Sequence, residues 1–201
     1  MLKYETENLK DYKLVAGCDE AGRGAWAGPL VAACVIMDMN IKNKDINDSK
    51  KLTPSQREDL YKKIIEEAIE VQIYQVDVDT LNNSNPKKES QNAMSNCVQN
   101  FKNKPQIVLT DFEKIQTEYP QINLVKGDQI SYNIAAASIV AKVYRDKLMT
   151  NLAVEFPEYG FQKHKGYGTK FHQEALSKFG VTKIHRIKYK PISKILHSKM
   201  N

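Results

Sequence analysis

Acidic residues at the ends of apolar runs are the first in this chain whose type and placement suggest chemistry. Asp19-Glu20 close a short apolar segment beginning at Leu14, and Asp111 closes another beginning at Gln106. Asp128 follows 17 residues after Asp111, just ahead of an alanine-rich run. If the two apolar runs are neighbouring strands, their ends bring these carboxylates to one sheet edge. Adjacent residues of a regular strand face opposite ways, so Asp19 and Glu20 can serve one site only where the chain bends. Gly22-Arg23-Gly24 supplies such a bend. Clustered carboxylates repel one another unless cations neutralise them, and an all-oxygen set suits the hard divalent ions Mg²⁺ or Mn²⁺. A lone acid at a strand end is ordinarily a solvated turn residue, so the argument rests on the combination.

Two phosphate-binding patterns come close and fail. Gly17-x4-Gly22-Arg23-Gly24 approaches a P-loop, but Arg replaces Lys, no Ser or Thr follows, and two acids sit inside the loop. Gly22-x-Gly24-x-x-Ala27 spells a dinucleotide fingerprint, yet Gly28-Pro29 and a β-rich run follow where a helix should open. His164, His172, His185 and His197 have no cysteine partners and no zinc-like spacing, and His172 falls on an expected helix in a packing or surface role. His185-Arg186 and Arg145-Asp146 suit either phosphate contacts or salt bridges that fix the tail to the core.

The elements that must position these groups follow from patterning. Leu14 to Asp19 and Leu30 to Ile36 read as strands around the glycine-rich connection. Thr53-Pro54-Ser55-Gln56 is a capping box opening a helix to about Ala68, Val71 to Val78 reads as a strand, and Asn85-Pro86 opens a helix towards Phe101. Gln106 to Asp111 and Ile122 to Val125 complete the strands. Ser131 to Met149 is helical with apolar groups nearly all round, hence buried. Beyond Pro157 come a basic Gly/Tyr loop, a helix from Lys170 to Phe179 stopped by Gly180, and a last helix from Pro191 to Lys199. Strands alternating with helices give an α/β core at residues 1–156, with a C-terminal loop and small helical appendage at 157–201.

The chain has 201 residues, 41% hydrophobic and 27% charged, which excludes a largely disordered or fibrous protein. A net charge of +6 favours a polyanionic partner. The longest uncharged stretch, Gly24 to Met37, is too short to span a bilayer and holds Gly28-Pro29, and Met1 to Lys13 lacks a secretory apolar region. A cytoplasmic monomer is expected, with Cys18, Cys34 and Cys97 as reduced, buried thiols.

Six motifs in order now spell something specific: Asp19-Glu20-Ala21-Gly22-Arg23-Gly24; Ala27-Gly28-Pro29-Leu30-Val31-Ala32-Ala33; Asp48-Ser49-Lys50-Lys51-Leu52; Lys126-Gly127-Asp128; Ile134 to Val143; and His164-Lys165-Gly166-Tyr167-Gly168-Thr169. From about Val15 to Pro191 the chain resembles the type 2 ribonucleases H, bacterial ribonuclease HII in particular. The resemblance implies a ribonuclease H-like mixed sheet flanked by helices. It also implies an endonuclease, dependent on Mn²⁺ or Mg²⁺, that cuts RNA–DNA hybrids or ribonucleotides embedded in DNA duplexes. It maps the family's metal-site acids onto Asp19, Glu20, Asp111 and Asp128, its ribose-approaching loop onto Gly22, Arg23 and Gly24, and its junction-sensing tyrosine onto Tyr167. Lys50 and Lys165 join the substrate-binding set. A non-catalytic duplex-binding protein is the alternative.

The chain departs from the family where Phe112-Glu113 follow the third acid in place of the usual glycine, leaving Glu113 as a candidate substitute ligand, and where Ala25-Trp26 replace a more usual Pro-Leu. Only 18 residues precede Asp19, too few for the N-terminal domain that ribonuclease HIII usually carries, and no clamp-binding peptide is expected in residues 191–201.

Overall fold

The two apolar runs around the glycine-rich connection pair with one another at the centre of a five-stranded sheet. β1 (Val15–Ala21) and β2 (Leu30–Met37) are antiparallel, with Asp19 opposite Ala33 and Glu20 opposite Ala32. β3 (Ala68–Val76) adds antiparallel to β2. On the other side, β4 (Ile107–Asp111) runs parallel to β1 and β5 (Gln121–Leu124) parallel to β4, giving the order β3-β2-β1-β4-β5. The structure, a computed structural model, describes residues 3–41, 43–46 and 52–198. The Asp48-Ser49-Lys50-Lys51 motif, including the expected substrate contact Lys50, lies outside the described residues.

Helices cover both faces, so β2 is buried at every position, as its unbroken apolar run requires. One face carries α2 (Pro54–Glu67) and α5 (Tyr132–Glu155), whose Leu60, Ile64, Ala136 and Val140 pack with Val31, Ala33 and Val35. The other carries α4 (Pro86–Gln99), with Met94, Cys97 and Val98 against Ala16, Ala32 and Ile36. The local signals act as written. Thr53 and Gln56 close a reciprocal capping box, Asn85 accepts from the Lys88 N–H, and Ser131 accepts from the Ile134 N–H.

Two short helices were not expected from the patterning. α1 (Lys3–Asn8) buries Glu5, and α3 (Val78–Asn83) begins where the expected strand was to end, because Asp77 caps it through the Thr80 N–H. In the tail, α6 (Phe161–His164), α7 (Lys170–Phe179) and α8 (Lys190–Ser198) pack on the second half of α5 and on Ala27. A β-bridge between Ala27 and His185 ties the tail to the β1–β2 connection. Among the described residues no helix is long and apolar enough to cross a membrane.

The cysteines differ from expectation. Cys18 and Cys34 lie directly opposite in the β1–β2 register, Cα atoms 4.2 Å apart, and their sulfurs are bonded, leaving Cys97 as the free thiol. Sequence separation gives no hint of this, since strand register alone makes them partners.

Candidate active site

β1 and β4 end side by side, with Cys18 in register with Thr110, so Asp19 and Asp111 emerge next to each other. The chain does not bend between Asp19 and Glu20, contrary to the expectation for their joint use. β1 stays extended through Ala21, and the turn comes at Gly22, φ 89°. Asp19 therefore faces α5 and is hydrogen-bonded by Ser138, whereas Glu20 lies on the α4 side with Ser90. Both still sense the charge of Asp111, which ends the adjacent strand β4.

Burial is the main cause that pushes the Asp19 carboxyl well above its ordinary range. The Glu20 and Asp111 charges push the same way, against hydrogen bonds from Ser138 and the Glu20 N–H. Burial also raises Glu20, and Arg23 opposes it. Asp111 Oδ1 accepts from the Gly127 N–H at 2.7 Å, and that bond sets the turn bearing the buried Asp128 beside β4. The structure thus joins Asp19, Glu20 and Asp111 directly and Asp128 through Gly127. Among the described residues no three acidic, histidine or cysteine groups already form a closed cation cage. The donor chemistry still fits a hard divalent ion: carboxylate oxygens only, mutually repelling and partly desolvated.

Arg23 sits between these acids and the open side. Its Nε lies 3.4 Å from Glu20 Oε1 and its guanidinium 2.8 Å from Glu113 Oε1, while its carbonyl accepts from the Arg186 guanidinium and the Tyr189 hydroxyl. Glu113, a candidate substitute ligand by sequence, is instead engaged by Arg23, Lys87 and Gln91. Phe112, where the family usually has glycine, keeps the left-handed backbone a glycine would allow, φ 65°. The bond from its N–H to the Leu124 carbonyl pins it there, and the residue is 61% exposed. That conformation costs about 1–2 kcal/mol for a residue with a Cβ.

Arg145 and Arg186 do fix the tail to the core, but among the described residues they do so without salt bridges. Both are fully buried and fork onto backbone carbonyls. Arg145 bonds Pro29, Ala27 and Lys165, and Arg186 bonds Gly28 and Arg23. They tie the tail loop to the β1–β2 connection. Burial lowers the Arg145 pKa to about 10, still protonated at neutral pH. Tyr167 stands 37% exposed, its ring 5.4 Å from the Arg145 guanidinium and 5.9 Å from Lys142 Nζ. The Lys165 ammonium turns away along α5 to Thr150 Oγ1, at 2.8 Å, and lines a groove of net positive charge with Arg57, Lys142, Lys147 and Lys163, in which Asp146 and Glu58 pair with Lys142 and Lys147.

Sequence reasoning missed Glu5. Its Oε1 accepts from the Ser131 hydroxyl and from the Asn133 main-chain and side-chain N–H groups, anchoring the start of α5 behind Asp128. A glutamate in a charged N-terminal stretch carries no signal for this.

The family model for ribonuclease HII matches residues 16–192. The chain belongs to the ribonuclease HII family. Ribonuclease HII of Lactobacillus acidophilus is 45% identical over 190 residues, covering 94% of this chain and 76% of that one. The ribonuclease H2 structure from Pyrococcus horikoshii OT3 superposes with a TM-score of 0.81 at 26% identity, over 94% of this chain and 99% of that one. A structure of Bst-RNase HIII in complex with Mn²⁺ shares the fold, with a TM-score of 0.68 at 17% identity, over 92% and 70%. As a ribonuclease HII the chain is a hydrolase, an endonuclease acting on RNA–DNA hybrids, and its strand order is the mixed sheet of that fold.

Proposed function

We propose that the chain cuts on the 5′ side of ribonucleotides embedded in duplex DNA, as well as within the RNA strand of hybrids, leaving 5′-phosphate and 3′-OH ends. The observation carrying this reading is the Asp19, Glu20 and Asp111 edge with Gly22-Arg23-Gly24 turning directly out of it. Asp19, Glu20, Asp111 and Asp128 would hold two divalent cations, Mg²⁺ or Mn²⁺, and these would activate water and stabilise the leaving 3′ oxygen in an in-line displacement. Bst-RNase HIII, which shares this fold, is known in complex with Mn²⁺, which supports use of a divalent ion.

This chain's own residues do the rest. Gly22 is buried, whereas the turn exposes Gly24 with nothing packed beside it, so a sugar can approach the backbone there, and the ribose 2′-OH is the group that separates RNA from DNA. Arg23 offers its guanidinium to the adjoining phosphate, exchanging part of its pairing with Glu20 and Glu113. The Tyr167 ring packs against the next sugar, where a deoxyribose leaves room. The groove lined by Arg57, Lys142, Lys147, Lys163 and Lys165 holds duplex phosphates without reading sequence.

The test is a DNA duplex carrying one ribonucleotide, incubated with Mg²⁺ or Mn²⁺, with chelator and an all-DNA duplex as controls. A chelator-sensitive cut 5′ of the ribonucleotide is expected. Folded protein that binds the duplex and cuts with neither metal would favour the non-catalytic binder instead.

A further inference from the structure

Three histidines that the hydrolytic site does not use form one buried cluster under the loop that carries Tyr167. The His164 and His172 rings stack with centroids 4.6 Å apart, and His172 Nε2 lies 3.1 Å from His185 Nε2. Trp26, Tyr159 and Phe161 pack around them. Burial lowers the pKa of all three, with His172 and His185 brought to about 4, so the rings are neutral at physiological pH.

Neutral imidazoles have one donor and one acceptor nitrogen, and here the partners dictate which is which. The Thr182 main-chain N–H donates to His185 Nδ1 at 2.9 Å, so the His185 proton is on Nε2. That proton faces His172 Nε2, which must accept it, leaving the His172 proton on Nδ1. Nδ1 lies 3.0 Å from the Tyr167 carbonyl oxygen and donates to it. His164 is fixed separately: the Gly166 N–H donates to its Nδ1, and its Nε2–H donates to the Tyr159 carbonyl. His185 is itself immobilised, since its carbonyl accepts from Asn82 of α3 and its main chain bridges Ala27.

We propose that His172 is a positioning residue for Tyr167 and that His185 selects its donor nitrogen: a one-way hydrogen-bond relay running from the Thr182 N–H through two neutral imidazoles to the Tyr167 carbonyl. It holds the Tyr167 ring at the height where the sugar after the ribonucleotide must pack. This inference rests on the reading of Tyr167 as the junction-sensing residue. It assigns the relay to discrimination between substrates, leaving hydrolysis to the carboxylates.

Two amide substitutions separate the roles of the ring nitrogens. His172→Asn would place an amide N–H near the position of Nδ1, whereas His172→Gln would place its amide near the position of Nε2 and lose the side-chain donor to the Tyr167 carbonyl, leaving it the Thr169 N–H alone. The readout is the ratio of kcat/KM on a single embedded ribonucleotide to that on a continuous hybrid. His172→Asn should keep the wild-type ratio. His172→Gln should lower it by about threefold to tenfold, the worth of one neutral hydrogen bond, with hybrid cleavage within about twofold of wild type. Nitrogen-15 NMR of the wild-type imidazoles, which needs no variant to fold, should show His172 protonated on Nδ1 and His185 on Nε2. The opposite tautomers would overturn the relay. So would an unchanged ratio in His172→Gln when Tyr167→Ala changes it. If Tyr167→Ala itself leaves the ratio unchanged while the duplex is still cut, the junction-sensing reading fails and the relay's purpose fails with it.

Discussion

A methyl group on Gly24 would touch nothing in the protein, whereas one on Gly22 would run into the Arg145 side chain at a backbone φ of 89°. The two glycines of one loop therefore have different reasons to be glycine. Gly22 is required by the fold; nothing in the folded protein explains Gly24, which matches a close approach by substrate. Gly24→Ala is expected to unfold at the wild-type temperature, with stability within about 0.5 kcal/mol, because it is an open position. Its affinity for a hybrid duplex should fall by about tenfold or more, as a Cβ holds the ribose off the backbone. Gly22→Ala should lose about 1–3 kcal/mol of stability through strain and a displaced Arg145. Thermal melts and duplex titrations of the pair check both. Normal duplex affinity in Gly24→Ala would remove the loop from substrate recognition.

At the scale of elements, the tail is fastened by groups that dislike charge. The buried His172 and His185 rings have pKa values of about 4, against 6.5 for a free imidazole. Between those values the unfolded chain binds more protons than the folded one. Their stabilising contribution is thus complete above pH 6.5 and lost as pH falls towards 4. Asp19 and Glu20 act in the opposite sense, since their raised pKa values make the metal-free fold gain stability as pH falls through the acid range. Comparing wild type with His172→Asn isolates the contribution of His172. The melting temperature of metal-free wild type should drop more steeply between pH 7 and 4.5 than that of the variant, and parallel curves would show that His172 is not held neutral. Sequence patterning placed α7 and the Gly180 stop correctly but left His172 in a generic packing role. The relay depends on His185, 13 residues away, and only tertiary structure brings the two rings together.

For the whole molecule, what was legible in the chain and what was not divide along the range of the interactions. Capping residues and apolar runs act over a few residues, so Thr53, Asn85 and Ser131 mark true helix starts, and β1, β2 and β4 fall within two residues of where the apolar runs put them. That Asp19 and Asp111 share a sheet edge was legible because each closes an apolar run. The roles of Glu5, Arg145, Arg186 and Glu113, and the Cys18–Cys34 bond, were not, because each is fixed by a partner 16 to 163 residues away that no local pattern reveals. Two of those long-range ties, Arg145 and Arg186, hold the tail loop with Tyr167 against the connection carrying Gly22-Arg23-Gly24. The most direct measurement is metal-dependent turnover on a single-ribonucleotide duplex by Asp19→Asn and Asp111→Asn, with duplex affinity and Mn²⁺ binding titrated on the same samples. The carboxylate account predicts turnover reduced by at least about a thousandfold in both, weakened Mn²⁺ binding and near-wild-type duplex affinity. Full turnover in both variants would contradict it.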